Sequence, residues 1–223
     1  MLLLSCSSSN KEPLRIAVAA SSCELVHALA SEWQANSSDS IEVICNSSGV
    51  LASQILANAP FDIFISADTL YTNPIPTSYT HKTISKNQLV LWSKKPIHSI
   101  EKTFSEAKTL AIANPETAPF GALALEFITI LFPDFKKDIV YGSNISQINQ
   151  YISLESIDAA FTSKSSIYSL KSKGFNKGYF IEIADFNLEQ GMVTLTPKGE
   201  AFAQYISDEL TTQTFEKFGF DKP

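Results

Sequence analysis

Residues 59–68 read APFDIFISAD, and the apolar run FDIFIS in this stretch ends in polar residues, as buried parallel strands commonly do. Two runs of the same kind precede it, LRIAVAA at residues 14–20 and IEVIC at residues 41–45. After each of these two runs, apolar residues recur at helical spacing, over residues 22–33 and 50–57. Strands that alternate with helices predict an α/β fold with a parallel sheet, whose functional loops lie at the carboxyl ends of the strands.

The same alternation continues in the second half of the chain, so we predict a second α/β lobe. Residues 88–92 and 192–196 are apolar segments at which the chain would cross between lobes, and residues 71–87 are predicted to form a loop. The expected architecture is a two-lobed periplasmic-binding-type fold, with two parallel-type sheets flanked by helices and a ligand cleft between the lobes. The predicted division assigns residues 14–87 plus 193–223 to lobe 1 and residues 88–192 to lobe 2.

The overall composition excludes several classes of protein. With 44% hydrophobic and 18% charged residues, the 223-residue chain has the composition of a globular protein rather than a disordered one. Its 17 basic and 23 acidic residues give a formal net charge of −6. This charge argues against nucleic acid as a partner, because clustered Lys and Arg drive phosphate binding. Neither a Gly-x-Ser-x-Gly motif nor a Walker loop occurs, so we expect the protein not to be an enzyme.

The first residues of the chain point to export. Residues 3–6 (LLSC) resemble a bacterial lipobox, in which the cysteine is lipidated and becomes the mature amino terminus. The serine-rich stretch that follows is typical of a flexible tether. We interpret residues 1–13 as a lipoprotein signal remnant and tether, with Cys6 as the lipid anchor and the only membrane contact. The protein would then lie in the periplasm or on the outer face of the cytoplasmic membrane, and an ordinary cytosolic terminus is the alternative.

Two further cysteines, Cys23 and Cys45, each follow a predicted strand and could be neighbours in the fold. In an oxidising compartment they could form a disulfide. The alternative is a pair of small buried thiols, and this is the prediction that we favour.

Groups that can donate hydrogen bonds, either serine hydroxyls or backbone N–H groups, stand where predicted strands give way to helices. Ser21 and Ser48 lie at predicted helix starts in the first lobe, and Phe120 and Ile145 lie at helix starts in the second. Helix amino termini carry free N–H groups and partial positive charge, and they bind oxyanions without a formal cation. Helix ends that face one cleft, with hydroxyls added, would enclose a small dianion. The alternative is that Ser21 and Ser48 only cap their helices.

Several motifs occur together in an order that resembles a known family. The chain is similar over nearly all of residues 14–220 to the molybdate-binding proteins of bacterial ABC importers. The motifs that carry this resemblance are VAAS at residues 18–21, NSSGVLASQI at 46–55, APFDIFISAD at 59–68, NPETAPFG at 114–121 and FEKFGF at 215–220. The resemblance implies a monomeric binding protein without a cofactor, which takes up molybdate or tungstate and delivers it to a membrane permease and an ATPase.

The resemblance also implies a ligand site. Two serine hydroxyls that hold the oxyanion in the family match Ser21 and Ser48, and two backbone N–H groups match Phe120 and Ile145. The fifth group in the family is a tyrosine hydroxyl, and in this sequence Ser163 stands at that position. The shorter side chain of Ser163 would reach the anion through a water molecule, or it would leave a cavity of different shape.

A site that contains only donors favours a fully deprotonated tetrahedral dianion such as molybdate or tungstate. Hydrogen phosphate would leave its proton unpaired at a cost of about 1–3 kcal/mol, and sulfate is smaller. The alternatives are a binding protein for sulfate, phosphate or an organic anion, an enzyme on a similar scaffold, and a ligand-responsive regulatory domain.

Overall fold

The computed structural model describes residues 12–208 and 211–223, so the predicted anchor at Cys6 lies outside the described residues. The described part of the chain contains eight strands and eight α-helices. The strands are β1 (Leu14–Ala19), β2 (Ile41–Asn46), β3 (Ile63–Ser66), β4 (Thr80–Ser93), β5 (Leu110–Ala113), β6 (Ile139–Gly142), β7 (Ala159–Ser163) and β8 (Tyr179–Thr194). The helices are α1 (Cys23–Gln34), α2 (Ser48–Leu56), α3 (Ile100–Glu106), α4 (Pro119–Leu131), α5 (Ile145–Ser153), α6 (Lys164–Ser172), α7 (Glu200–Ile206) and α8 (Thr212–Lys217). None of the described helices combines the length and the apolar character needed to cross a membrane.

The sheet consists of two parallel halves joined by two long antiparallel strands. Its order is β2-β1-β3-β8-β4-β7-β5-β6. In the first lobe β1 pairs in parallel with β2 and β3, and in the second lobe β5 pairs in parallel with β6 and β7. Strands β4 and β8, of 14 and 16 residues, pair with each other and connect the halves. The two predicted sheets are therefore halves of one continuous sheet.

The prediction of a loop over residues 71–87 is wrong from Thr80 onward, where β4 begins. The first four residues of β4 are exposed and polar, so no apolar alternation marks them as a strand. Their partner is the end of β8, with Thr80 opposite Thr194. Backbone pairing with a strand more than 100 residues away forms this part of β4. Both predicted lobe boundaries fall inside β4 and β8, and the division into lobes at those positions stays a prediction.

The core of the second lobe reaches the strand ends of the first. Aromatic rings fill this core, and the rings of Phe127 and Phe161 meet edge to face at 5.4 Å. Ala19 at the end of β1 and Ala67 just after β3 pack into the same cluster. Because their side chains are small, the carboxyl ends of the first-lobe strands can approach the second lobe closely.

The prediction of two free, buried thiols is wrong, because Cys23 and Cys45 form a disulfide and both are half-buried. Strands β1 and β2 run in parallel with Val18 opposite Cys45. The chain then turns through Ala20–Ser22 into α1, which brings Cys23 back to the end of β2. Their Cα atoms are 5.9 Å apart, within the range that a disulfide spans.

A buried carboxylate fastens the opposite end of the first lobe. Burial favours a higher pKa for Asp62, but the hydrogen bonds it accepts from the Arg15 N–H and the Thr196 hydroxyl, together with Lys198, outweigh burial and lower that pKa. The Lys198 ammonium lies 3.2 Å from the carboxylate. The charged form of Asp62 therefore holds β1 against the turn that follows β8.

Candidate anion-binding site

The turn between β1 and α1 presents a buried hydroxyl that has no protein partner. Ser21 lies in the short 3-10 turn Ala20–Ser22, and across residues 12–208 and 211–223 nothing hydrogen-bonds to its Oγ. The N-cap position of α1 belongs to Ser22, whose side chain does not cap the helix either. An unpaired buried hydroxyl costs about 1–3 kcal/mol, so Ser21 is better suited to a ligand than to capping.

The amino end of α2 presents two more buried hydroxyls. Ser48 is fully buried, and its Oγ accepts a hydrogen bond of 3.0 Å from the Ala67 N–H. A hydroxyl that accepts still has its own proton to donate, so Ser48 is a donor whose position is fixed. The Oγ of Ser47, the N-cap residue, is buried without a partner within the described ranges. Sequence reasoning missed Ser47, although it stands beside Ser48 in the NSSG motif.

Two backbone amides of the second lobe are available at helix starts. Phe120 is the second residue of α4, and Ile145 is the first residue of α5. Amides in a first helical turn have no acceptor within the helix. The hydrogen bonds among the described residues give neither of these two N–H groups an acceptor. Both side chains are buried in the second-lobe core, so only their backbones can serve a ligand.

Contacts between the lobes bring the elements that carry these groups together. The Gly49 N–H at the start of α2 donates to the Thr117 carbonyl, just before α4, at 2.9 Å. A Cβ on Gly49 would lie 2.9 Å from that carbonyl oxygen, so a side chain here would push the lobes apart. Helix α5 packs against the Ser21 turn. The predicted donors Ser21, Ser48, Phe120 and Ile145 thus lie on elements that meet where the lobes touch.

Ser163 is fully buried at the end of β7, where it caps α6 by accepting from the Ser166 N–H at 3.2 Å. Its Oγ lies 2.9 Å from the Ser165 Oγ and 2.8 Å from the Ser166 Oγ. Ser165 donates its own proton to the Ser21 carbonyl at 2.9 Å, so Ser163 must be the donor to Ser165. With its proton used in this way, Ser163 is connected to Ser21 through Ser165. Its direct contact with a ligand stays a prediction.

Two amide side chains complete this serine network. Asn87 on β4 donates to the Ser165 Oγ at 2.8 Å, and Asn149 on α5 donates to the Ser166 Oγ at 3.0 Å. Asn87 also accepts from the Ser165 N–H and Asn149 from the Thr162 hydroxyl, and so many paired groups make a buried network stiff. The network joins the second lobe and the crossing strand β4 to the Ser21 turn. Sequence reasoning missed it, because its members are far apart in the chain.

Gln190 on the crossing strand β8 links two serine loops of the first lobe. One is the Ser21 turn, and the other, here called the Ser48 loop, is the turn from β2 into α2 that carries Ser47 and Ser48. Its fully buried side chain accepts a hydrogen bond of 3.0 Å from the Ser22 hydroxyl and donates one of 2.7 Å to the Ala67 carbonyl. The N–H of the same Ala67 holds the Ser48 Oγ. Gln190 therefore positions the Ser21 turn and Ser48 together.

We expect Gln190→Met to weaken anion binding about tenfold or more and to lower the melting temperature by several degrees. The variant has similar volume but leaves the Ser22 hydroxyl and the Ala67 carbonyl unpaired, and each unpaired group costs about 1–3 kcal/mol. For a protein of this size, each kcal/mol of lost stability lowers the melting temperature by about 2–4 °C. Calorimetric titration and thermal unfolding measure the two effects. Gln204→Met, at an exposed position on α7, is the matched control, and wild-type behaviour of Gln190→Met would contradict the positioning role.

The charged side chains beside the site include an ion pair and a carboxyl group of raised pKa. An open groove of about 570 Å³ runs along α1, α5 and α6 and reaches Ser21. Lys173 in its wall is 2.7 Å from Glu24, so this pair adds no net charge. On the other side, burial raises the pKa of Asp68, and Glu189 adds to that rise. Four of the five predicted groups, Ser21, Ser48 and the amides of Phe120 and Ile145, are neutral donors, which is the chemistry suited to an anion that carries no proton.

Two α/β lobes joined by two crossing strands, with unpartnered hydroxyls at the strand ends of the first lobe, fit the class of two-lobed solute-binding proteins. The family described as bacterial extracellular solute-binding protein matches residues 14–221, and the chain belongs to this family.

Individual relatives fit the same class. The chain is 26% identical over 235 residues to the molybdate-binding protein ModA of Azotobacter vinelandii, with 98% of this chain and 93% of that protein covered. The solved periplasmic molybdate-binding protein of Azotobacter vinelandii matches with a TM-score of 0.81 and 20% identity, covering 94% of this chain and 99% of that one. PEB3 of Campylobacter jejuni with bound L-phospholactate matches with a TM-score of 0.69 and 11% identity, covering 94% and 100%. The two-lobed fold and the similarity to molybdate-binding proteins, both predicted from the sequence, are confirmed.

Proposed function

We propose that this protein binds a fully deprotonated tetrahedral oxyanion, most readily molybdate or tungstate, between its two lobes and carries out no chemistry on it. The observation that carries this proposal is the set of first-lobe hydroxyls with free protons. Ser21 and Ser47 have buried, unpartnered Oγ atoms in the described structure, and Ser48 has its proton to donate. Together with the amides of Phe120 and Ile145, they form a donor-only site that meets the four oxygens of a dianion.

An organic phosphate is the second candidate, because PEB3, which has the same fold, is described with bound L-phospholactate. A phosphate monoester at neutral pH carries a fractional proton and an organic substituent. It would require an acceptor for the proton and space for the substituent, and the groove beside Ser21 is the space available. The donor-only character of the Ser21, Ser47 and Ser48 hydroxyls and of the Phe120 and Ile145 amides favours the inorganic dianion.

We propose that the protein works outside the cytoplasm as a monomer and hands its ligand to the permease and ATPase of an ABC importer. Membership in an extracellular solute-binding family and the similarity to ModA of Azotobacter vinelandii support this role. The lipid anchor at Cys6 belongs to the same proposal. Cleavage and acylation at Cys6 would be checked by mass spectrometry of the protein from membranes.

A ligand panel tests the proposed function. The protein is first unfolded in urea and refolded by dialysis to remove any bound anion, and its melting temperature is then measured with molybdate, tungstate, sulfate, phosphate and phospholactate. A ligand at 100 times its Kd stabilises the folded state by about 2.7 kcal/mol, which corresponds to about 5–10 °C. We expect this shift for molybdate and tungstate only. A shift with phospholactate alone would favour the organic-anion alternative, and no shift with any ligand would refute anion binding of this kind.

A further inference from the structure

The disulfide lies between the two serine loops of the proposed site. Cys23 comes two residues after Ser21, and Cys45 comes three residues before Ser48. Strands β1 and β2 pair up to their last residues, with Ala19 opposite Asn46. The two loops therefore leave the sheet side by side, and the disulfide joins the first residue of α1 to Cys45, the last but one residue of β2.

We propose that Cys23 and Cys45 are positioning residues for the anion, and this inference rests on the proposed function. Their disulfide holds the Ser21 turn and the Ser48 loop at a fixed separation, so that both hydroxyls are directed at one ligand before it arrives. Donors that are fixed beforehand lose less conformational entropy on binding, and this gain appears directly in the affinity.

The position of β2 shows why the Ser48 loop benefits from such a bond. Strand β2 is at the edge of the sheet, where β1 is its only paired neighbour among the described strands. Every residue of β2 is at least partly exposed, whereas β1 and β3 are almost entirely buried. The Ser48 loop therefore leaves from the least buried strand of the first lobe. Ala67, which follows β3 and is held by Gln190, donates its N–H to the Ser48 Oγ, whereas the disulfide restrains the β2 end of the Ser48 loop.

The surroundings of the disulfide make it accessible to a reductant. Both cysteines are half-buried, and His27, one helical turn after Cys23, is exposed. The two sulfur atoms and a ring nitrogen of His27 lie within 4.8 Å of one another. The bond can therefore be attacked by a reductant from the solvent. Once reduced, two thiolates and an imidazole have the composition of a zinc site, so tests on the reduced protein require a chelator.

The test compares anion binding by the oxidised and the reduced protein. A water-soluble phosphine reduces the disulfide, with one phosphine and one water yielding a phosphine oxide and two thiols. The phosphine is preferred because dithiol reductants chelate molybdate. It is removed by anaerobic desalting into buffer with a chelator, free thiols are counted, and the Kd for tungstate is measured by calorimetry. We expect reduction to raise the Kd about tenfold, within the 5- to 150-fold range typical of coupling between sites.

The double variant Cys23→Ala with Cys45→Ala separates this role from general stabilisation. We expect its Kd to match that of the reduced wild type and to be unaffected by the phosphine treatment, at a temperature well below its own melting temperature. A lowered melting temperature with an unchanged Kd, in the variant or in the reduced protein, would overturn the positioning role while leaving the proposed function intact. Failure of the oxidised wild type to bind any anion of the panel would overturn the proposed function and this inference with it.

Discussion

Replacement of Ser21 and Ser48 together by alanine is expected to raise the Kd for molybdate at least 100-fold. Each hydroxyl would donate to a charged ligand, and a hydrogen bond of that kind contributes about 1.5–3 kcal/mol to binding. Since each 1.4 kcal/mol of lost binding free energy raises the Kd about tenfold, the loss of both hydroxyls should raise it by at least two such factors. Calorimetric titration of the double variant and of each single variant measures the loss.

The stability of the ligand-free variants distinguishes binding from capping. Since the Ser21 Oγ has no partner in the described structure, Ser21→Ala should leave the melting temperature of the ligand-free protein unchanged or slightly higher. A capping serine would instead cost about 1 kcal/mol on replacement. The matched controls are Ser31→Ala on α1 and Ser53→Ala on α2, both exposed. Wild-type affinity in the double variant would contradict the oxyanion site.

Gly121→Ala is expected to lower both stability and anion affinity. A Cβ at Gly121 would lie 2.2 Å from the Ala113 carbonyl oxygen at the end of β5, and backbone cannot move aside as a flexible side chain can. The start of α4 must therefore shift, and the Phe120 N–H shifts with it. Overpacking of this kind costs about 1–3 kcal/mol, and we expect the upper end. Thermal unfolding should show a melting temperature lower by about 5–10 °C, and titration should show a weaker affinity.

Glu126→Ala, at an exposed position on the same helix, is the control for Gly121→Ala. It should change neither quantity by more than experimental error. If Gly121→Ala loses stability but keeps the wild-type Kd, then the start of α4 does not contribute to the site, and the Phe120 amide would be removed from the proposed donor set.

The departure of Ser163 from the family pattern has a structural counterpart. The family places a tyrosine hydroxyl at this position, whereas here three neighbouring serines, Ser163, Ser165 and Ser166, form a network that ends on the Ser21 carbonyl. A tyrosine would act on the ligand directly. The serine network instead holds the Ser21 turn, whose hydroxyl is one of the proposed donors.

Local pattern in the sequence was sufficient for most of the fold. Strands β1, β2 and β3 and helices α1 and α2 follow from apolar runs and helical spacing, because each run contains in itself the information on which face is buried. The helix starts that carry Ser48, Phe120 and Ile145 were predicted within three residues for the same reason. The Ser21 hydroxyl has no partner in the described structure, and its use as a ligand donor stays a prediction.

Partners far apart in the chain decided the rest. The polar half of β4 is a strand because β8 pairs with it, and Cys23 bonds to Cys45 because parallel pairing of β1 and β2 brings their ends together. Gln190 holds Ser22 across 168 positions of sequence, and Ser165 holds the Ser21 carbonyl across 144.

The sequence by itself thus determined the two-lobed α/β fold and the family, because these depend on short segments and their order, and it predicted the donors of the candidate site. Only the tertiary structure decided which hydroxyls keep a free proton and which are used within the protein. A hydroxyl has a single proton, and its direction depends on neighbours that the folded chain supplies from distant segments.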